Sequence, residues 1–154
     1  MRFRSTLVPE RLIGHGRRRR SLRDVVLCVD QSGSMAGSVV YAGVFGAVLA
    51  SLPALSTRVV AFDTAVADLT EHLSDPVELL YGLQLGGGTD INRALAYCQG
   101  VIERPEQTVL VLLSDLFEGG NEREMLARAR ALRESGVLVV ALLALSDDGA
   151  PSFD

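Results

Sequence analysis

Four short apolar runs constrain the fold of this chain more than any other feature: Val25–Val29, Val59–Phe62, Val109–Leu113 and Val137–Leu143. Each is rich in Val, Leu or both, and none alternates apolar with polar residues. A strand with one wet face alternates, whereas a strand buried on both faces does not. The runs therefore predict a parallel sheet covered by helices. The intervening segments carry helical patterns. Ser38–Leu52 is rich in Ala, Val and other small residues, with Pro53 just beyond. Asp90–Glu103 sets Ile91, Ala94, Leu95 and Cys98 on one face, with Asp90 or Thr89 as N-cap. Glu122–Glu134 spaces Met125, Leu126, Ala129 and Leu132 helically, and Gly136 supplies the stop. A short helix is expected at Pro76–Tyr81.

One segment departs from strand–helix alternation. Arg58–Phe62 is followed by Asp63-Thr64 and then by Ala65–Thr70. That gap is too short for a crossover helix, so the second run should return as an antiparallel hairpin strand. Its Asp68 and Thr70 suit a sheet edge. The expected order is β-α-β-β-α-β-α-β. It describes a doubly wound α/β sheet, mainly parallel, with one antiparallel edge strand and helices on both faces.

A chain of 154 residues, 48% hydrophobic and 22% charged, is one domain's worth of sequence and excludes intrinsic disorder. No apolar run approaches the roughly 18 residues of a membrane span. Cys28 and Cys98 are the only cysteines, too few for a disulfide framework or a zinc site, and both read as inert buried thiols. The first twenty residues have arginines but no apolar stretch of the secretory kind, so a reducing, cytoplasmic setting is expected. Charge is unevenly placed. Every basic residue is Arg. Residues 1–23 hold eight of them against Glu10, a balance of +7, while residues 24–154 balance at −11. The expected organisation is a basic arm or linker over 1–23 and a globular domain over 24–154. With Phe3 the only Phe, Tyr or Trp among its arginines, the arm offers little for bases to stack on, and it reads as a solvated linker before it reads as a nucleic-acid contact.

In sheets of this kind, ligands bind beyond the carboxyl ends of the strands. Asp30-Gln31-Ser32-Gly33-Ser34 follows the first run, Ser114-Asp115 follows the third, and Gly86-Gly87-Gly88-Thr89-Asp90 precedes the second main helix. Asp30, Ser32, Ser34, Thr89 and Asp115 form an all-oxygen donor set. Such a set suits Mg²⁺, with Mn²⁺ or Ca²⁺ as alternatives, and does not suit zinc or copper. Gly33 is expected to let the first loop close, and Met35 to pack beneath it. Asp63 and Asp75 read as turn or cap residues. Ser114 and Glu118 stand either as supporting groups or as solvated loop residues. Asp147-Asp148 and the isolated His15 and His72 read as solvated surface.

Asp30-x-Ser32-x-Ser34 together with Thr89 and Asp115 resembles the metal-ion-dependent adhesion site (MIDAS) of von Willebrand factor A (VWA) domains. The phrases DVVLCVDQSGSM, GGGTDI and VLLSD resemble that family at the corresponding places. The resemblance covers about residues 24–145. It implies a Rossmann-like domain that binds protein partners through a divalent ion without catalysis, the ion accepting an acidic side chain from the partner. Gln31, Gly33 and Gly86–Gly88 would shape the rim. The longer phrase TLVPERLIGHGRRRRSLRDVVLCVDQSGSM resembles the bacterial, intracellular CoxE-like branch, which implies a chaperone or assembly role beside a MoxR-type AAA+ ATPase. VWA domains usually continue into a sixth strand and a final helix. The resemblance thus implies a missing last unit, an uncovered fifth strand and a tendency to form homodimers.

Two other classes are weaker. A phosphatase-like hydrolase with Asp30 as nucleophile would need an acid at position 32, which is Ser, and a lysine, which the chain lacks. A serine nucleophile would need a nearby base, and neither histidine lies in a segment expected to approach Ser32 or Ser34. A nucleic-acid module would rest on the arginine arm alone.

Overall fold

The computed structural model describes residues 23–35, 43–44, 46–48, 51, 55–75, 77–78 and 87–143. The basic arm up to residue 22, Asp147-Asp148 and His15 lie outside the described residues, as do Gly86 and most of the expected helices at 38–52 and 76–81. Within those last two segments, residues 43–44, 46–48 and 77–78 are helical.

The sheet has five strands: β1 (Arg23–Asp30), β2 (Leu55–Phe62), β3 (Val66–Asp68), β4 (Thr108–Ser114) and β5 (Leu138–Leu143), in spatial order β3-β2-β1-β4-β5. The pairs β1–β2, β1–β4 and β4–β5 are parallel and β2–β3 is antiparallel. The expected doubly wound α/β arrangement is thus observed. The register sets Asp30 beside Phe62 and Val29 beside Leu113, so β1, β2 and β4 end nearly level. Several strands outrun their apolar runs. β2 starts at Leu55, because pairing with the whole of β1 recruits Ser56, Thr57 and Arg58 into the ladder.

Alternation along the strands divides the core in two. Val25, Leu27 and Val29 join Met35, Val59, Ala61 and Val111 on one face. Val26 and Cys28 join Val60, Phe62, Leu110 and Leu112 on the other, beneath α1 (Ile91–Val101) and α2 (Glu122–Glu134). Met35 is fully buried, as expected for a packing residue. Asp90 is the N-cap of α1, its carboxylate accepting from Arg93 N at 2.8 Å. α2 is capped by Asn121 and begins with Glu122 and Glu124, charges that favour a helix N-terminus. Gly136, at φ +102°, ends it where a Cβ would lie 2.9 Å from Glu106 Cγ. Leu126 departs from the expected apolar face: it is exposed beside Val139 and Ala141 at the open side of β5. Cys28 and Cys98 are free and buried. The neighbouring Cys98 thiol and burial push the Cys28 thiol well above its ordinary range, which disfavours the reactive thiolate.

The hairpin strand is shorter than the expected Ala65–Thr70, because Asp68 turns the chain. Its Oδ1 accepts from both the backbone N and the hydroxyl of Thr70, starting a 3-10 turn at Thr70–His72. Its Oδ2 accepts from Arg58 at 3.0 Å and from Tyr97 Oη at 2.9 Å. Burial raises the Asp68 carboxyl, but these bonds outweigh it and hold the group below the usual aspartate range. A depressed folded pKa contributes stability above the unfolded value of about 3.9, and that stability is lost as pH falls through the folded value. Asp68→Asn should therefore destabilise the protein by about 1 kcal/mol near neutral pH, after allowance for solvent screening. The deficit relative to wild type should shrink in urea titrations taken progressively into acid.

β5 closes the sheet on the other side. Among the described residues it pairs only with β4, and Leu138 is 53% exposed. An unpaired apolar edge promotes association. Sizing with light scattering should show a mass that rises with concentration and falls back in Leu142→Lys. A strictly monomeric wild type at high concentration would count against this.

Candidate functional site

β1 delivers Asp30 to the carboxyl end of the sheet, where the residue has no exposed surface. Two donors hold the carboxylate. Ser32 N donates to Oδ1 at 2.8 Å, folding the loop back over the strand end, and Ser114 Oγ donates to Oδ2 at 2.7 Å from β4. Gln31 N donates to Phe62 O at 2.7 Å, anchoring the same loop to β2. The 3-10 turn Gly33–Met35 follows, closed by Met35 N donating to Ser32 O at 2.9 Å.

That turn sets the two serine hydroxyls side by side, with Ser32 Oγ and Ser34 Oγ 3.2 Å apart. Ser34 Oγ in turn donates to Asp115 Oδ2 at 2.5 Å. Four of the five residues singled out from sequence therefore form one connected group: Asp30, Ser32, Ser34 and Asp115. Thr89 reaches the same edge through its backbone, its carbonyl accepting from Gly119 N at 3.0 Å in the loop after β4. Among the described residues, no hydrogen bond joins the Thr89 hydroxyl to the other four.

Gly33 does not carry the expected role in closing the turn. It is exposed, a Cβ there would meet nothing, and its φ lies outside the left-handed region. Gly87 does have a steric reason: it lies at φ +102°, and a Cβ there would lie 2.9 Å from Asp63 Oδ2. Asp63 does act in a turn, its Oδ1 accepting from Ala65 N at 2.6 Å, and its carbonyl also accepts from Asp90 N at 3.0 Å. Asp75 likewise caps the start of the next helical residues, accepting from Val77 N at 2.8 Å.

Ser114 and Glu118, left undecided by sequence, have structural duties. Ser114 is fully buried, donates to Asp30 and accepts from Leu116 N at 3.0 Å. Glu118 accepts from Ile91 N at 2.8 Å and from Gly120 N at 2.9 Å. Leu116, between them, has φ +64°, a conformation that costs a bulky L residue about 1 kcal/mol or more. It turns Leu116 into the core and leaves Phe117 exposed beside Asp115, whose Oδ1 accepts from Phe117 N at 3.1 Å. A leucine gives no sequence signal for such a turn.

Asp30 and Asp115 are both buried, and no Arg or His among the described residues forms an ion pair with either. Burial raises the Asp30 carboxyl; bonds from Ser114 and Ser32 oppose the rise, and the charge of Asp115 adds to it. Among the described residues the pair is thus an anionic site whose donors are neutral, and a cation of oxygen-binding type fits it. Among the described residues, no three His, Cys, Asp or Glu side chains gather as a metal-binding group, so two carboxylates and hydroxyls are the donor chemistry on offer here.

The sequence matches the family described as VWA domain containing CoxE-like protein over residues 2–154. It is 45% identical over 130 residues to the Escherichia coli K12 protein named Uncharacterized protein YehP, covering 84% of this chain and 34% of that one. The chain thus spans about a third of that curated relative. The fold is similar to a von Willebrand factor type A structure from Catenulispora acidiphila, with a TM-score of 0.63 and 19% identity over 79% of this chain and 33% of that one. It is also similar to the conserved hypothetical protein BatB from Bacteroides thetaiotaomicron, with a TM-score of 0.61 and 16% identity over 84% and 78% of the two chains.

The buried bond from Ser114 to Asp30 makes a specific energetic prediction. Ser114→Ala leaves a fully buried carboxylate oxygen without its donor, and should cost about 2 kcal/mol in urea unfolding of the metal-free protein. A loss within error of zero would show that Asp30 does not depend on this donor.

Proposed function

The chain belongs to the family of VWA domain containing CoxE-like proteins, and from that premise we propose that it is a non-catalytic binding module working through a divalent cation. The observation that carries the reading is the buried Asp30 and Asp115 pair, joined through the hydroxyls of Ser32 and Ser34 and without an ion-pair partner among the described residues. Ser32, Ser34 and Thr89 would supply neutral oxygen donors and Asp115 a charged one. Both Asp30 oxygens already accept protein hydrogen bonds, which suits action through water. Mg²⁺ is the expected ion, with Mn²⁺ and Ca²⁺ compatible with the donors. When bound, such an ion supplies a positive charge that neutral hydroxyls leave under-compensated, and this attracts a carboxylate. The protein itself holds the donors in place, and Gln31, Gly33 and Gly87-Gly88 border the site.

The partner would be a protein presenting Glu or Asp. A MoxR-type AAA+ ATPase in the cytoplasm is the partner suggested by resemblance to the CoxE-like branch, since VWA domains generally mediate protein interactions. No helix among the described residues is long and apolar enough to cross a membrane. Catalysis has less support: position 32 offers a hydroxyl in place of a general acid, and no lysine is present to steady a phosphate.

Titration of Mg²⁺ and Mn²⁺ into metal-free protein tests the proposal. Binding should raise the melting temperature, with a stabilisation of about 2.7 kcal/mol when the free ion reaches a hundred times Kd. Ser32→Ala, Thr89→Ala and Asp30→Ala should each remove that response while the fold persists. Capture of the ATPase should be lost on chelation and in the same variants. Capture that survives both treatments would exclude an ion bridge.

A further inference from the structure

Glu118 lies between the two loops that carry Asp115 and Thr89, and its contacts differ from those of a surface carboxylate. Oε2 accepts from Ile91 N, the first residue of α1, at 2.8 Å. Oε1 accepts from Gly120 N at 2.9 Å, within its own loop. One side chain therefore ties the loop after β4 to the start of α1. Next to it, Gly119 N donates to Thr89 O at 3.0 Å. α1 already has a local N-cap in Asp90, so Glu118 is a second cap brought from 27 positions along the chain.

The two glycines that follow are shaped to this contact. A Cβ on Gly119 would lie 2.5 Å from Thr89 O, and one on Gly120 would lie 2.7 Å from Glu118 Oε1. At Gly119 the atom met is backbone, so only a residue without a side chain allows that approach, whereas at Gly120 it is the far end of the Glu118 side chain. On the other side the Thr89–Asp90 turn is bonded to the turn after β2, through Asp90 N donating to Asp63 O at 3.0 Å. The Asp115 end of the same loop is bonded to Ser34. Hydrogen bonds thus tie the serine loop to Asp115 at one end of this loop, and Glu118 to Ile91 and Gly119 to Thr89 at the other.

We infer that Glu118, with Gly119 and Gly120, is a clasp that positions Thr89 against Asp115, so that the two loops present their oxygens to the cation as one body. This rests on the metal-dependent reading of the site. Glu118 is a positioning residue: its two oxygens accept from backbone N–H groups of two different segments and so join the loop after β4 to the start of α1. Partners that orient metal-binding groups typically alter affinity by about tenfold to a hundredfold when removed. Pre-organisation explains why: without the clasp, Thr89 must be ordered each time the ion binds.

The test combines two readouts on the whole chain: calorimetric titration with Mn²⁺, and amide exchange in the metal-free protein. Glu118→Ala should weaken Mn²⁺ binding by about tenfold or more. Glu118→Gln, which keeps one acceptor oxygen, should fall between. Gly119→Ala, which keeps the carboxylate but obstructs the approach to Thr89, should behave like Glu118→Ala. Exchange at Gly119 N–H should speed up in Glu118→Ala, although that hydrogen is bonded to Thr89 and not to Glu118. A local helix cap would release Ile91 and Gly120 alone. Wild-type affinity in both Glu118→Ala and Gly119→Ala, or an unchanged Gly119 amide, overturns the clasp. A wild-type protein without Mn²⁺ affinity overturns the metal reading and the positioning role with it, while the Gly119 amide still reports whether the two loops are joined.

Discussion

A carboxylate with no exposed surface at the end of a central strand is the constraint on which the rest of this structure turns. Burying Asp30 removes it from water, and an ionised carboxyl in that position is tolerated only with donors aimed at it. The fold supplies them from two directions. The backbone of Ser32 returns over one oxygen, and the Ser114 hydroxyl reaches the other from β4. The second depends on parallel pairing that ends β1 and β4 nearly level. The topology is therefore part of the site's chemistry: an antiparallel neighbour would bring the opposite end of a strand to Asp30.

The consequences spread along that edge. Ser114 can donate to Asp30 and accept from Leu116 N only because the chain turns sharply after Asp115, with Leu116 at φ +64°. That turn packs a half-buried Leu116 against the core, exposes Phe117 and starts the loop that returns to α1 through Glu118. A strained backbone persists where surrounding bonds over-determine it. Here the bonds at Ser114, Asp115 and Glu118 bracket the strained residue on both sides.

These levels differed in how openly the sequence carried them. The strands and their order could be read because burial on both faces removes alternation, and because the Asp63-Thr64 gap leaves no room for a crossover. The grouping of Asp30, Ser32 and Ser34 could be read because they recur at spacing two on a loop placed by the sheet. Strand limits could not, since Ser56, Thr57 and Arg58 enter the ladder through backbone pairing that their side chains do not advertise. Asp68 shortened the hairpin through a bond to Thr70 that competes with strand pairing. Glu118 reads as any solvated acid in a Gly-rich loop; its role depends on Ile91, 27 residues earlier, and only the folded chain puts the two together. Gly33 illustrates the opposite error. A glycine in a turn invites a steric explanation, yet a Cβ there would touch nothing.

The two sides of the sheet edge contribute unequally to what the site can do. On the serine side, Asp30 and Gln31 are fastened to strands, so Ser32 and Ser34 inherit the rigidity of the core. On the other side, the loops that carry Thr89 and Asp115 are fastened to one another and to the start of α1, with single further bonds from Ser34 to Asp115 and from Asp90 N to Asp63 O. Under the proposed reading, a cation bound between them would be held by one fixed half and one half whose order comes from a few hydrogen bonds. Ion affinity would then respond to anything that shifts α1 relative to β4. By reciprocity, an ion or a partner carboxylate that favours one arrangement of the loops would shift α1 by the same coupling free energy. Glu118 is where that coupling would pass from the site to the helix, because its two oxygens bind both sides at once.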